Sequence, residues 1–319
     1  MAKTAISHSP SSALRHRPLF IAGPTAVGKS AIALALAEKI GGEIISVDSM
    51  QVYRGLDIGT AKPTAEERRR VPHHLVDICD LSEAFDAAQF VRRAHATVAE
   101  IHSRGHVPIF CGGTGLYFKA FISGLGEAPA TDAAVRTELE ATPLAALLDE
   151  LQRSDPETYE KIDRQNPRRV VRALEVIRLT GEKFSAQRAE WGEEAKDQSL
   201  KTKVVYAFTR PAEELHQRIN ARVDEMFSRG LVEETRGLLK HGLAENKFAM
   251  QAIGYRQVVE HLRGDPLSGT ALKETIELVK VRTRQFAKRQ LTWFRRHGNC
   301  QWVELGTETM EKVLGRMAL

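Results

Sequence analysis

Between residues 23 and 30 the sequence reads GPTAVGKS, two glycines bracketing four residues and followed by a lysine and a hydroxyl. Such a stretch folds its backbone N–H groups into an anion-binding turn, but only where a strand precedes it and a helix follows. Both flanks comply. Leu19-Phe20-Ile21-Ala22 is an apolar run suited to a buried strand, and Ala31–Lys39 is rich in Ala and Leu and stops at Gly41-Gly42. Gly23, Pro24, Thr25, Ala26, Val27, Gly28 and Lys29 therefore read as a phosphate cradle. Lys29 supplies a point charge and the Ser30 hydroxyl a ligand for Mg²⁺. A diphosphate or polyphosphate with Mg²⁺ is the implied ligand, and the loop by itself suits ATP as an obvious candidate.

The elements that must hold this loop follow an α/β alternation. Glu43–Val47 reads as a strand ending in the carboxylate of Asp48, and Val107–Cys111 as a strand entering the Gly112-Gly113-Thr114 turn. Phe90, Ala94, Val98 and Ile101 mark an amphipathic helix over about 86–103. Parallel sheets of this kind bind ligands at the C-terminal ends of their strands, so the loop, Asp48 and Thr114 should converge. From 124 to 198 the chain turns polar and helical, with helix starts at Pro143, Pro156 and Pro167. A strand, Lys203–Thr209, then resumes, followed by helices over Pro211–Arg229, Leu231–Lys240 and Leu272–Arg296. The expected fold is a P-loop NTPase- or kinase-like parallel sheet, 18–123 and 199–319, with C-terminal helices and a helical insertion at 124–198.

At 319 residues and 42% apolar content the chain can bury a full core, and no segment approaches the length of unbroken apolar sequence that spans a bilayer. Cys79, Cys111 and Cys300 are isolated, which fits a reducing cytosol and a cytoplasmic protein. Residues 1–17 carry Lys3, Arg15 and Arg17 and no acid, and are expected to be a disordered basic tail. They account for three of the net charge of +5. The remaining charge is clustered. Lys280–Arg296 contains seven basic residues and no acid, with Lys280, Arg284 and Lys288 on one helical stripe, while Arg164, Arg168, Arg169 and Arg172 form a second group. Either cluster alone is equally a solvated helix face; two of them beside a phosphate loop lean toward nucleic acid.

Seven segments together, GPTAVGKS, ISVDSMQVYRGLDIGTAKP, PHHLVDI, GGTGLYFKA, NPRRVVRALEV, QAIGYRQ and AKRQLTWFR, resemble the bacterial tRNA dimethylallyltransferases, also called tRNA isopentenyltransferases. The likeness runs in order over nearly the whole chain, and the long second segment is its most specific part. It implies that the loop holds the diphosphate of dimethylallyl diphosphate and that the acceptor is N6 of the adenosine 3′ of the anticodon. Arg222 resembles the arginine that reaches the diphosphate, and Thr114 the threonine lining the channel where amine and allyl carbon meet. Asp48 sits where a base could take the N6 proton. Asp48, Ser49, Met50 and Gln51 could read the Watson–Crick edge of the extruded base. Arg136, Gln165, Asn166, Pro167, Arg168 and Arg169, with Gln251, Ala252, Ile253, Gly254, Tyr255 and Arg256, match segments that grip the anticodon stem-loop.

Plainer roles stay open at each position. Asp48 could cap the next element or serve a metal through water, Thr114 could cap the helix that follows, and Arg222 could be a surface arginine. A P-loop small-molecule kinase would share the loop and the strand-end carboxylate without needing the basic insertion, and an enzyme prenylating free adenine nucleotides would leave the insertion unexplained. A GTPase-like module should carry Asn-Lys-x-Asp, which the sequence lacks. The Cys/His cluster of eukaryotic members is also missing, which favours the bacterial type. A monomer is the default expectation.

Overall fold

The computed structural model describes residues 17–124, 129, 131–187, 204–264, 269–297, 299–306 and 309–317. Residues 1–16 of the basic tail, the end of the insertion at 188–198 and the expected strand start at Lys203 lie outside them.

The chain divides into two units, Met1–Ile122 with Asp197–Leu319, and Ser123–Lys196. The larger contains β1 (Leu19–Ala22), α1 (Lys29–Ile40), β2 (Gly42–Val47), α2 (Ala65–Arg70), β3 (His73–His74), α3 (Ala87–Ser103), β4 (Val107–Gly112) and α4 (Gly115–Ser123), whose last residue opens the smaller unit. The smaller unit follows with α5 (Ala133–Ala141), α6 (Leu144–Ser154), α7 (Pro156–Lys161), α8 (Pro167–Thr180) and α9 (Phe184–Gln187). The larger resumes with β5 (Val205–Thr209), α10 (Ala212–Ser228), α11 (Leu231–Leu239), α12 (Tyr255–Arg263), α13 (Gly269–His297), β6 (Cys300–Glu304) and α14 (Met310–Arg316).

One six-stranded sheet runs β3-β2-β4-β1-β5-β6 with every pairing parallel. Its central strands are buried along their length, which is why they read as continuous apolar runs and not as alternations. Phe20 and Phe110, neighbours on β1 and β4, stack at 5.0 Å between ring centroids, and Phe121 from α4 tilts onto Phe110 at 4.4 Å. The opposite face packs Ile21, Ile109 and Phe208 against Ile32, Leu36 and Ile219. Two strands escaped the sequence reading for a physical reason. β3 is only two residues long, and β6 is an edge strand with exposed Gln301, Trp302 and Glu304, so neither shows a buried-strand pattern.

The basic stripe on α13 needs correcting. Lys280 pairs with Asp224 and Glu277 at 2.8 Å, and Arg284 donates to Asn220 at 2.5 Å, so two of its three members are spent on packing α13 against α10. In the smaller unit Leu139, Leu147, Leu151, Val170 and Leu174 form a separate core. There the fully buried carboxylate of Glu175 is met by Arg172 at 2.7 Å and Arg136 at 3.6 Å.

Candidate active site

After β1 the chain turns through residues 23–28 into α1. Gly28 is the N-cap, with φ of 109°, a conformation in which glycine avoids the penalty a Cβ would bring. Ala26 also sits at positive φ, 62°, which costs a residue with a Cβ roughly 1–2 kcal/mol. The turn is held from β5 and α10, which packs on the same face of the sheet as α1. Arg218 Nε donates to the Ala26 carbonyl at 2.9 Å and Arg210 Nε to the Val27 carbonyl at 2.8 Å, with Arg210 in turn paired to Glu214. Arg222, one turn beyond Arg218 on α10, donates from Nη1 to Thr25 Oγ1 at 3.5 Å. Lys29 folds back to donate to the Pro24 carbonyl at 3.1 Å. Of these, Lys29, Arg218 and Arg222 line an open cavity of about 380 Å³, together with Gly28, Ser30 and Glu225.

The cavity concentrates positive charge. Burial pulls the Lys29 ammonium below its ordinary 10.5; Arg222 pushes the same way, and Cys111 and Asp48 oppose. Burial likewise lowers Arg222, with Asp48 and Glu225 opposing. The Asp48 carboxylate is thus near enough to both cations to act on their ionisation. An incoming polyanion would relieve the mutual repulsion of Lys29 and Arg222, which is the electrostatic signature of a phosphate site.

Asp48 leaves the end of β2, and its Oδ1 accepts the backbone N–H groups of Met50 at 2.8 Å and Gln51 at 3.3 Å. The capping role that the sequence left open is therefore present, and it aims the carboxylate: both bonds fall on Oδ1. Thr114 Oγ1 accepts the Ser49 N–H at 3.3 Å, tying the end of β4 to the end of β2 across the crevice. Gln51 is occupied within its own loop. Its Oε1 accepts from Ser46 Oγ at 2.8 Å, and its Nε2 donates to the carbonyls of Thr60 at 3.1 Å and Ala61 at 3.3 Å. Ser49 and Met50 are partly exposed beside it. The rest of that long motif is structural: the almost fully buried Lys62 ties Asp57, Asp77 and the Tyr53 carbonyl together.

Ser30 is the second residue of α1, exposed at the cavity wall. Among the described residues no group of three or more His, Cys, Asp or Glu side chains could hold a metal by itself. The donor set suits an ion that shares the ligand's phosphate oxygens, the usual manner of Mg²⁺.

The IPP transferase family model matches residues 51–297. The chain belongs to that family. It is 47% identical to tRNA dimethylallyltransferase 1 of Trichlorobacter lovleyi over 295 residues, 91% of this chain and 94% of the relative. Among solved structures it is similar to the full-length tRNA isopentenylpyrophosphate transferase of Bacillus halodurans (TM-score 0.67, 41% identity, 95% of this chain and 94% of that one). It is also similar to a eukaryotic dimethylallyltransferase captured acting on tRNA (TM-score 0.74, 30% identity, 90% of this chain and 74% of that one). The family model begins beyond both the phosphate loop and Asp48, so the reading of those residues stands on their geometry.

Other family segments divide into buried and open residues. In Gln251–Arg256, Ala252, Gly254 and Tyr255 are buried, Ile253 is partly so, and Gln251 and Arg256 are exposed. Tyr255 OH donates to Glu234 at 2.5 Å while accepting the Gly59 N–H at 3.0 Å, so this tyrosine braces the loop at 57–60. In the smaller unit Gln165, Pro167, Arg168 and Arg169 are exposed at the start of α8, with Asn166 as its partly exposed N-cap. Arg136 is held on Glu175. The sequence reading gave no role to Arg210, Arg218 or Gln290. Arg218 had a signal, since it lies four residues before Arg222 and so on the same helix face; Arg210 and Gln290 had none that spacing could supply.

Proposed function

We propose that this enzyme transfers a dimethylallyl group from dimethylallyl diphosphate to N6 of the adenosine 3′ of the anticodon in tRNA, releasing diphosphate. One observation carries the proposal: Asp48, at the end of β2 and tied through the Ser49 N–H to Thr114 at the end of β4, lies at the same end of the parallel sheet as the phosphate turn after β1, where Lys29 and Arg222 gather. An acceptor for the nucleophile's proton and cations for the leaving group therefore share one crevice. N6 attacks the allylic carbon, the carbon–oxygen bond breaks with its electron pair going to the diphosphate, and the N6 proton passes to Asp48. The charge growing on the leaving group is met by Lys29, Arg222, Arg218 and the backbone N–H groups at the start of α1. Mg²⁺, held by Ser30 and the diphosphate oxygens, would add neutralising charge there. Thr114 lines the crevice where the amine enters.

The target base must leave its stack to reach this site. Ser49 and Met50 are open to meet it, whereas the Gln51 amide serves by shaping the loop. Arg168 and Arg169, at a helix N-terminus, together with Gln251 and Arg256, supply phosphate contacts that position the RNA. The names of the relatives support tRNA as the acceptor. We read the enzyme as cytosolic, in keeping with its three free cysteines, and as a monomer by default. Among the described residues no helix is long and apolar enough to cross a membrane.

Incubation with labelled dimethylallyl diphosphate and either an anticodon stem-loop or AMP tests the reading. Label is expected in the stem-loop adenosine and not in AMP. Label in AMP alone would favour a free-nucleotide prenyltransferase, and phosphoryl transfer from ATP without prenylation would favour a kinase.

A further inference from the structure

Gln290 lies on α13 and is 8% exposed. Its Oε1 accepts the Thr25 N–H at 2.9 Å, and its Nε2 donates to the Gly113 carbonyl at 3.0 Å. One planar amide therefore joins the phosphate turn after β1 to the turn after β4, partners 265 and 177 residues away in sequence. The fit is close: a Cβ on Gly113 would lie 2.2 Å from Gln290 Nε2, and one on Gly115 would lie 2.1 Å from the Trp293 ring one helical turn on. A buried amide is tolerated when both its ends are paired, and here both are.

What the amide joins is the two halves of the reaction. Thr25 carries the hydroxyl that accepts from Arg222, and Gly113 precedes Thr114, whose hydroxyl accepts from Ser49 in the Asp48 turn. We propose that Gln290 is a positioning residue for the transfer: its amide fixes the donor cradle relative to the Thr114 turn, so that the nucleophile meets the allylic carbon at attack distance. Its effect on rate rests on the functional reading above; the link between the two turns does not. Displacement of reacting groups by about 1 Å costs on the order of 100-fold in rate. Phosphate binding, which depends on Lys29, Arg218, Arg222 and the helix terminus, is left in place.

Gln290→Met keeps the length and bulk and removes both hydrogen bonds. Gln290→Glu keeps an acceptor for Thr25 and sets a carboxylate against the Gly113 carbonyl. Ala287→Gly, at a buried position of the same helix, serves as a destabilised chain with both hydrogen bonds intact. Three quantities are measured: amide exchange over residues 23–25 and 113–115, the single-turnover rate on an anticodon stem-loop, and dimethylallyl diphosphate binding by calorimetry. Gln290→Met should exchange faster at both turns and Gln290→Glu at 113–115 alone; both should lose about 100-fold in single-turnover rate, with donor affinity within about threefold of wild type. Ala287→Gly should show neither the selective exchange nor the rate loss. Unchanged protection at the two turns in Gln290→Met would overturn the proposal, as would a rate loss that Ala287→Gly reproduces at the same melting temperature. Failure of the wild-type chain to prenylate would count against the functional reading, and the exchange measurement would still decide the link.

Discussion

Asp48→Asn separates chemistry from architecture because of how the carboxylate is used. Oδ1 accepts the Met50 and Gln51 N–H groups, and an asparagine oxygen can accept both. Exchanging a charged for a neutral acceptor should cost only about 1 kcal/mol of stability. The melting temperature should then fall by a few degrees, whereas Asp48→Ala, which empties the cap, should lower it further. The amide cannot take the N6 proton, so the single-turnover rate should drop by about 10²–10⁴. Donor affinity should hold or rise, because a negative group beside Lys29 and Arg222 has been removed. The assay is single-turnover prenylation of a stem-loop at saturating donor, beside calorimetry of donor binding. A rate within about threefold of wild type, or a loss confined to donor binding, would refute the assignment of Asp48 as base and leave it a metal-shell or capping residue.

Three further outcomes follow from the same geometry. Replacing Arg168 and Arg169 by Ala should weaken tRNA binding and flatten its salt dependence by about one to two phosphate contacts, each worth a slope of roughly 0.7–0.9, with donor affinity unchanged; binding across a salt series checks this. Because Lys29 titrates below its ordinary 10.5, donor affinity should fall with rising pH before that value is reached, and calorimetry at successive alkaline pH values would show it. At the start of β2, burial would raise the Glu43 carboxyl, but hydrogen bonds from Arg104, His74 and His106 outweigh it and hold the group at about 2, below its ordinary 4.5. Its stabilisation is complete above about pH 4.5 and is lost as pH falls toward 2, an effect of up to about 3 kcal/mol that Glu43→Gln should remove from an acid-unfolding curve.

The central strands and the longer helices were legible because buried parallel strands are unbroken apolar runs and the surface helices keep their period, whereas the shorter α2, α5, α9, α12 and α14 were not read. β3 and β6 were not, being too short and too exposed to carry a pattern. The phosphate turn was readable because its chemistry is local, with eight consecutive residues making the cradle. The residues that stiffen it were not, since Arg210 and Gln290 reach it from 183 and 265 residues away, and the family-like segment AKRQLTWFR around Gln290 carries no sign of which turn it meets. Charge patterning pointed to a nucleic-acid partner, in line with the names of the relatives, but not to which cations are open. Lys280 and Arg284 look like a nucleic-acid face in sequence, yet they meet Asp224 and Asn220 on a helix that only the fold brings alongside. Tyr255 and Gln51 teach the same lesson, for each lies in a segment expected to touch RNA and each spends its polar atoms bracing the loop at 57–61.

A prenyl diphosphate is the proposed occupant of the turn at 23–30. The most direct test of this assignment is calorimetry of dimethylallyl diphosphate and of ATP, each with Mg²⁺, on the wild-type chain and on Lys29→Ala. Tight binding of dimethylallyl diphosphate to the wild type, lost in Lys29→Ala with the fold intact, and much weaker binding of ATP are the predicted result. Tight ATP binding that depends on Lys29, with no measurable binding of dimethylallyl diphosphate, would contradict it.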